Sequence, residues 1–272
     1  MPRWNLETDI AWDAFDPARL DSDILKLVKA AALTEYNAAR YTAYLHNVFK
    51  DDPEFQAFAK SWQEEEEQHG RALGRYAEVA DPTFDFPAAF KKFTEGYVIP
   101  VDVDGSVRGS RVGEMVARCV VETGTSSYYT AMSEATDEPV LQQLCRNIAG
   151  DEYRHYKLFL DTLRKYQPTE HLSVVERIRV AISRLRETND DELAYAFHCA
   201  NEPLDAPYDR VKASAAYGSR VFRIYQHHHV ERATGMVMKA AGLKPQGWLG
   251  RQATRFAWWK MQVQAQRVAG HA

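Results

Sequence analysis

The sequence predicts an all-α protein, a four-helix bundle with one long crossover connection, followed by additional C-terminal helices. Three observations predict it. Apolar and small residues recur at helical spacing through four long stretches between about residues 22 and 165. Within them a pattern occurs twice: a lone glutamate in an apolar or small-residue stretch, then Glu-x-x-His. Glu35 precedes Glu66 by 31 residues, and Glu122 precedes Glu152 by 30. Finally, residues 83–109 break the helical rhythm with Pro87, Gly96, Pro100, Gly105 and Gly109. A bundle with one crossover needs such a link between its second and third helices, so that the second pair starts parallel to the first.

The elements follow in order. Residues 1–20, with Trp4, Trp12 and Phe15 among acids, read as an irregular arm with no assigned chemistry. A first helix starts at Asp21 or Ser22, both good caps, and runs to about Lys50 with Val28, Ala31, Glu35, Ala39, Thr42 and His46 along one side. Small neighbours at three and four residues, Ala31, Ala32, Ala38 and Ala39, leave room around the Glu35 carboxylate. Asp51-Asp52-Pro53 opens a second helix that ends before Asp81-Pro82 and turns Phe55, Trp62, Glu66, His69 and Tyr76 inward. In its run of four glutamates, Glu64 and Glu67 point away to solvent, while Glu65 lies beside the inner face. The third helix, near Ser110 to Ala135, presents Cys119, Glu122, Thr125 and Tyr129, and Gly124 in its interior marks a gap able to admit oxygen or substrate. The fourth opens at Asp137-Glu-Pro139 and carries Ile148, Glu152, His155 and Phe159 inward to about Tyr166. Residues 1–165 thus form the bundle with its arm, and 166–272 a helical extension packed on it. The extension reads as helices at 173–187, 190–199, 208–241 with a bend at Gly218, and 247–268.

Composition sets the class. With 45% apolar and 12% aromatic residues, 272 residues can bury a core. The chain has no basic segment followed by an apolar run at its start and nowhere eighteen consecutive apolar residues, so a cytoplasmic protein without a transmembrane segment is expected. Cys119, Cys145 and Cys199 are odd in number and widely spaced, which fits buried thiols better than a disulfide framework or a zinc knuckle. The net charge of −4 hides an asymmetry, because residues 206–272 carry 11 Lys and Arg against Asp209 and Glu231. That +9 segment is expected to dock on the acidic bundle; no nucleic-acid partner is expected. His227-His-His229 reads as surface histidines, since successive residues diverge on a helix. Trp248, Phe256, Trp258, Trp259 and Met261, with Arg251, Arg255 and Lys260, suit a membrane interface or a seal over the bundle, and the seal is the expectation.

The repeated pattern carries the chemistry. On a helix, residues i and i+3 share a face, so Glu66 with His69, and Glu152 with His155, can grip an ion from one side. About one Glu-x-x-His is expected by chance in so acidic a chain, and the arrangement is the signal rather than the count. One glutamate from each of two helices plus Glu-x-x-His from each of two others matches the ligand set of ferritin-like di-iron and di-manganese bundles. The predicted metal ligands are Glu35, Glu66, His69, Glu122, Glu152 and His155. So oxygen-rich a set selects two iron ions, with manganese, alone or mixed with iron, as the alternative. Asp151 and Glu65 are placed to orient the histidine of the opposite motif through its free N–H.

These residues resemble a family, the soluble acyl-carrier-protein desaturases. The resemblance rests on Trp62-Gln-Glu-Glu-Glu-Glu-Gln-His-Gly70, on Leu144-Cys-Arg-Asn-Ile-Ala-Gly-Asp-Glu-Tyr-Arg-His155 and on Glu122-Thr-Gly-Thr125, and it covers about residues 22–165. Glu-Tyr-Arg-His stands where that family has Glu-Lys-Arg-His. The resemblance implies catalytic roles for three further residues: Thr125 delivers protons beside the oxygen-binding face, and Trp62 and Asp151 lie on the route of incoming electrons. It also implies a homodimer, a ferredoxin-type electron donor, and an acyl chain on acyl carrier protein as substrate. The expected reaction is an oxygen-dependent desaturation. A hydroxylase or Mn/Fe oxidase acting on an apolar substrate, and a ferritin- or rubrerythrin-like iron oxidiser, are the alternatives.

Overall fold

The computed structural model describes residues 2–187 and 191–269. All regular structure among them is helical: two 3₁₀ turns, at Trp12–Ala14 and Pro17–Arg19, precede α1 (Ser22–Tyr36), α2 (Ala38–Val48), α3 (Pro53–Ala80), α4 (Phe86–Gly96), α5 (Arg111–Ala135) and α6 (Pro139–Glu170). Then come α7 (Val174–Glu187), α8 (Asp191–Asn201), α9 (Arg210–Ile224), α10 (His227–Ala240) and α11 (Trp248–Ala269).

The caps are those the sequence offers. Asp21 accepts from the backbone N–H groups of Asp23 and Ile24, Asp52 from Phe55, Ser110 from Gly113 and Glu138 from Leu141. Pro53 and Pro139 follow two of them in the first helical turn, where a missing N–H costs nothing. The capping carboxylate Asp52 is also bound by Lys165 and by the Tyr166 hydroxyl, and although burial opposes it, these bonds hold its carboxyl down at about 2.

Two antiparallel pairs make the bundle. α1 packs along α3, α5 along α6, and α3 meets α6 across the centre. Residues 81–110, with α4, carry the chain from the first pair to the second and lie against α8, α1 and α3. The first helix does not run unbroken to Lys50: it breaks at Asn37, whose ψ of 8° leaves the helical range. There the backbone of α1 presses on Gly70 of α3, and a Cβ built on Gly70 would lie 2.5–2.7 Å from backbone and Cβ atoms of Tyr36. Only glycine permits that approach, and it brings Glu35 beside His69.

The C-terminal helices cover the flanks of the bundle. α8 packs on α1, while α7 and α10 pack on α5. α9 lies on α8, and α11 rests on α9 and α10. The basic segment meets the bundle through α10 and through α9, where Arg220 and Arg223 pair with Asp23 at 2.9 and 2.5 Å. Gly218 does not bend its helix; the break between α9 and α10 falls at Tyr225-Gln226. Nor does α11 seal the bundle, since Trp248, Phe256 and Trp259 are each about three-fifths exposed. Gly124, expected to open a gap, is itself exposed, and a Cβ added to it meets nothing within 4 Å. No helix among the described residues is long and apolar enough to cross a membrane.

Candidate metal centre

Six side chains from four helices converge at mid-bundle: Glu35 from α1, Glu66 and His69 from α3, Glu122 from α5, Glu152 and His155 from α6. All six are buried, each less than a tenth exposed. They fall into two overlapping sets whose ligand atoms lie within 4.8 Å of one another, Glu35-Glu66-His69-Glu152 and Glu66-Glu122-Glu152-His155. Glu66 and Glu152 belong to both. The Glu66 carboxylate spans the two rings, with Oε2 3.5 Å from His69 Nδ1 and Oε1 3.1 Å from His155 Nδ1. From the opposite helix, Glu152 Oε1 lies 3.2 Å from His69 Nδ1 and 3.8 Å from His155 Nδ1. Glu35 and Glu122 stand outside, 3.8 Å from His69 Nδ1 and 3.7 Å from His155 Nδ1.

Each imidazole is oriented by the motif it does not belong to. His69 Nε2 lies 3.2 Å from Asp151 Oδ2, and His155 Nε2 lies 2.7 Å from Glu65 Oε2. Arg154 binds both carboxylates, at 3.1 Å to Asp151 and closer to Glu65. Nε2 therefore keeps a proton in each ring, and Nδ1 is the nitrogen turned towards the glutamates. His69 Nδ1, His155 Nδ1, Glu122 Oε2 and Glu152 Oε1 are buried with no hydrogen-bond partner. Buried polar atoms are normally satisfied, and four such atoms converging on one space are what an ion's ligands look like without the ion. The donor set and these bare atoms fit two cations held by shared carboxylates.

The protonation pattern agrees. Burial, then the neighbouring Glu66 charge, pushes the Glu35 carboxyl up to about 8. Burial and Glu152 raise Glu122 well above the carboxylate range. Burial alone would favour neutral His69, but Asp151, Glu152, Glu35 and Glu66 outweigh it and hold the ring well above the usual histidine range. His155 is raised in the same way by Glu122, Glu65 and Glu66. Protons thus balance the four central carboxylates, in the place where cations would do so.

Further residues complete the surroundings. Thr125 donates its hydroxyl to Glu152 Oε2 at 2.5 Å, and Tyr129 donates to Glu35 Oε1 at 2.6 Å. Trp62 packs edge-on against Phe159, 5.9 Å between ring centroids, with its indole N–H buried and bare. The tryptophan that touches the site is Trp4, in the arm that had no assigned chemistry. Its ring stacks on His69 with an interplanar angle of 6°, its N–H donates to Asp151 at 2.8 Å, and its carbonyl accepts from Gln68. The only sequence signal for it was its place among three aromatic residues in an arm rich in acids.

The histidine triplet also departs from expectation. His229 is buried rather than on the surface, and His228 and His229 each place Nε2 3.0 Å from Glu134.

No curated protein matches the chain. The model of the fatty acid desaturase family matches residues 17–183, which span the whole bundle and every residue of the convergent site. Over so much of its length, the chain belongs to the fatty acid desaturase family.

Proposed function

We propose that the protein is an oxygen-dependent di-iron oxidoreductase that desaturates an acyl chain carried on acyl carrier protein. Membership of the desaturase family supports oxidation of a fatty acyl chain. The di-iron reading is supported above all by two overlapping ligand sets that share Glu66 and Glu152, with two bare Nδ1 atoms aimed between them. In this reading Glu35, Glu66, His69, Glu122, Glu152 and His155 would hold the ions. Bound iron supplies the oxygen activation that breaking an unactivated C–H bond demands; manganese fits the same oxygen-rich set.

The chain's own residues do the rest. Burial of all six excludes bulk water from the reacting region and argues against a solvent-open iron-oxidising site. Thr125, half-buried, holds a proton against Glu152 Oε2 and is placed to pass it inward. Tyr129 holds another against Glu35 Oε1. Asp151 and Glu65 fix both imidazoles with Nδ1 inward. Asp151 also links His69 to Trp4 and Arg154, which supports it as part of the route for incoming electrons. Trp62 is proposed on the same route through its contact with Phe159. A ferredoxin-type donor supplies the electrons, an acyl carrier protein presents the substrate, and the working unit is a homodimer.

The test is direct. Protein loaded anaerobically with ferrous iron, supplied with reduced ferredoxin, oxygen and saturated acyl chains on acyl carrier protein, is expected to yield a product lighter by one hydrogen pair in mass spectrometry. Intact substrate, with no oxidised-iron chromophore on exposure to oxygen, overturns the proposal.

A further inference from the structure

We propose that the outward face of α11 is a docking surface for an anionic phospholipid bilayer. The orientation of the helix is set from behind. Gly250 and Thr254 are buried, and a Cβ on Gly250 would lie 1.7 Å from the Pro245 carbonyl oxygen, so the first turn is pressed onto the chain that precedes it. At 100° per residue, that leaves Trp248, Arg255 and Trp259 in one line on the opposite side, with Phe256 and Lys260 flanking it on one edge and Arg251 on the other.

Trp248, Leu249, Phe256 and Trp259 are 65%, 62%, 62% and 59% exposed, four large apolar side chains on three turns of one helix. Scattered apolar residues at a surface are ordinary; a continuous set on one helix marks a surface that meets something. Its charge indicates what. After Glu231 the chain has seven Lys and Arg and no Asp or Glu. While Arg220 and Arg223 of α9 pair with Asp23 of the bundle, Arg251, Arg255 and Lys260 meet no carboxylate among the described residues.

Tryptophan and phenylalanine interleaved with Arg and Lys, without acids, is the composition of a helix lying in the interfacial plane. The aromatic rings enter the boundary between headgroups and acyl chains, and the cations meet anionic headgroups. An acidic protein would neutralise the cations but leave aromatic rings standing on a convex helix with no pocket to fill; a bilayer accommodates both. No helix among the described residues is long and apolar enough to cross a membrane, and the proposed attachment is peripheral.

The experiment is flotation of the full-length, metal-loaded protein with vesicles. Binding is expected to phosphatidylcholine mixed with phosphatidylglycerol, to weaken in high salt, and to be at least about tenfold weaker to pure phosphatidylcholine. The triple variant R251Q/R255Q/K260Q is expected to lose about a hundredfold, and W248S/W259S at least about tenfold, with circular dichroism and metal content unchanged. Should either variant misfold, quenching of the unaltered chain's tryptophan fluorescence by lipids brominated on their acyl chains gives the same answer. No binding to anionic vesicles, or no quenching by brominated lipid, overturns the proposal. So does a W248S/W259S variant that binds vesicles unchanged but converts a dimer to a monomer in sedimentation, which would make the occupant a second copy.

Discussion

Two clusters among the described residues combine histidine with carboxylate, and they differ in which ring nitrogen is free. In the bundle, His69 and His155 give Nε2 to Asp151 and Glu65 and leave Nδ1 bare, facing shared glutamates. At the start of α10, His229 turns Nδ1 back to accept from the Gln226 backbone N–H at 2.9 Å, and its Nε2–H faces Glu134. That ring caps a helix. Both nitrogens are engaged, and an ion on Nε2 would need a proton on Nδ1, where a backbone donor already points. Burial and His228 push His229 below the usual histidine range, consistent with a neutral cap. A count of histidines and carboxylates does not separate the two clusters. The partner of the second nitrogen does.

The strongest way to break this contrast is to remove a carboxylate common to both ligand sets. Glu66→Ala or Glu152→Ala is expected to abolish binding of both ions and all oxygen-dependent activity, read by metal analysis of the purified variant, whereas Glu134→Ala leaves metal content at the wild-type level. Next comes Gly70→Ala, which drives a methyl group into the Tyr36 backbone. Overpacking of this kind costs about 1–3 kcal/mol, so a lowered denaturation midpoint and weakened metal affinity are expected together. Asp151→Asn keeps the shape but removes the charge behind His69, and loss of such a partner typically lowers metal affinity about 10–100-fold, which a competition titration against a chelator measures. Trp4→Phe keeps the stack, loses the N–H to Asp151, and is expected to weaken binding by less.

The pH dependence follows from the same centre. Glu35 titrates at about 8 in the fold against an ordinary 4.5, so between those values the folded state binds a proton that the unfolded chain does not. Glu122 and His69 are raised too and act in the same direction. The metal-free protein should therefore lose stability as pH rises from 4.5 towards 8, and bound metal should suppress that decline, as thermal melts with and without metal would record. The smallest effect is His229→Ala, which removes a cap at a cost of about 1 kcal/mol and leaves metal content untouched.

The convergence of the six residues was legible because helical period and the repeated Glu-x-x-His are local rules. The cross-pairing of Asp151 and Glu65 was legible from their position one residue before each motif. Trp4 was not, since its partner Asp151 lies 147 residues away and nothing local announces the contact. The break at Asn37 was also hidden: the stretch from Asp21 to Lys50 is helical in pattern throughout, and the approach of α1 to Gly70 on another helix coincides with the interruption. His229 was misread because consecutive residues diverge along a helix body, whereas at the first turn the cap draws the ring inward beside His228. The aromatic residues of α11 were expected to seal the bundle, and only the fold shows that Trp248, Phe256 and Trp259 face outward.

Anomalous diffraction from crystals grown with iron would locate any ions in the bundle. Two peaks are expected, about 3.5–4 Å apart, each next to Nδ1 of one of His69 and His155, with Glu66 and Glu152 between them. A single peak beside Glu134 and His228, or none within the bundle, contradicts the two-ion reading.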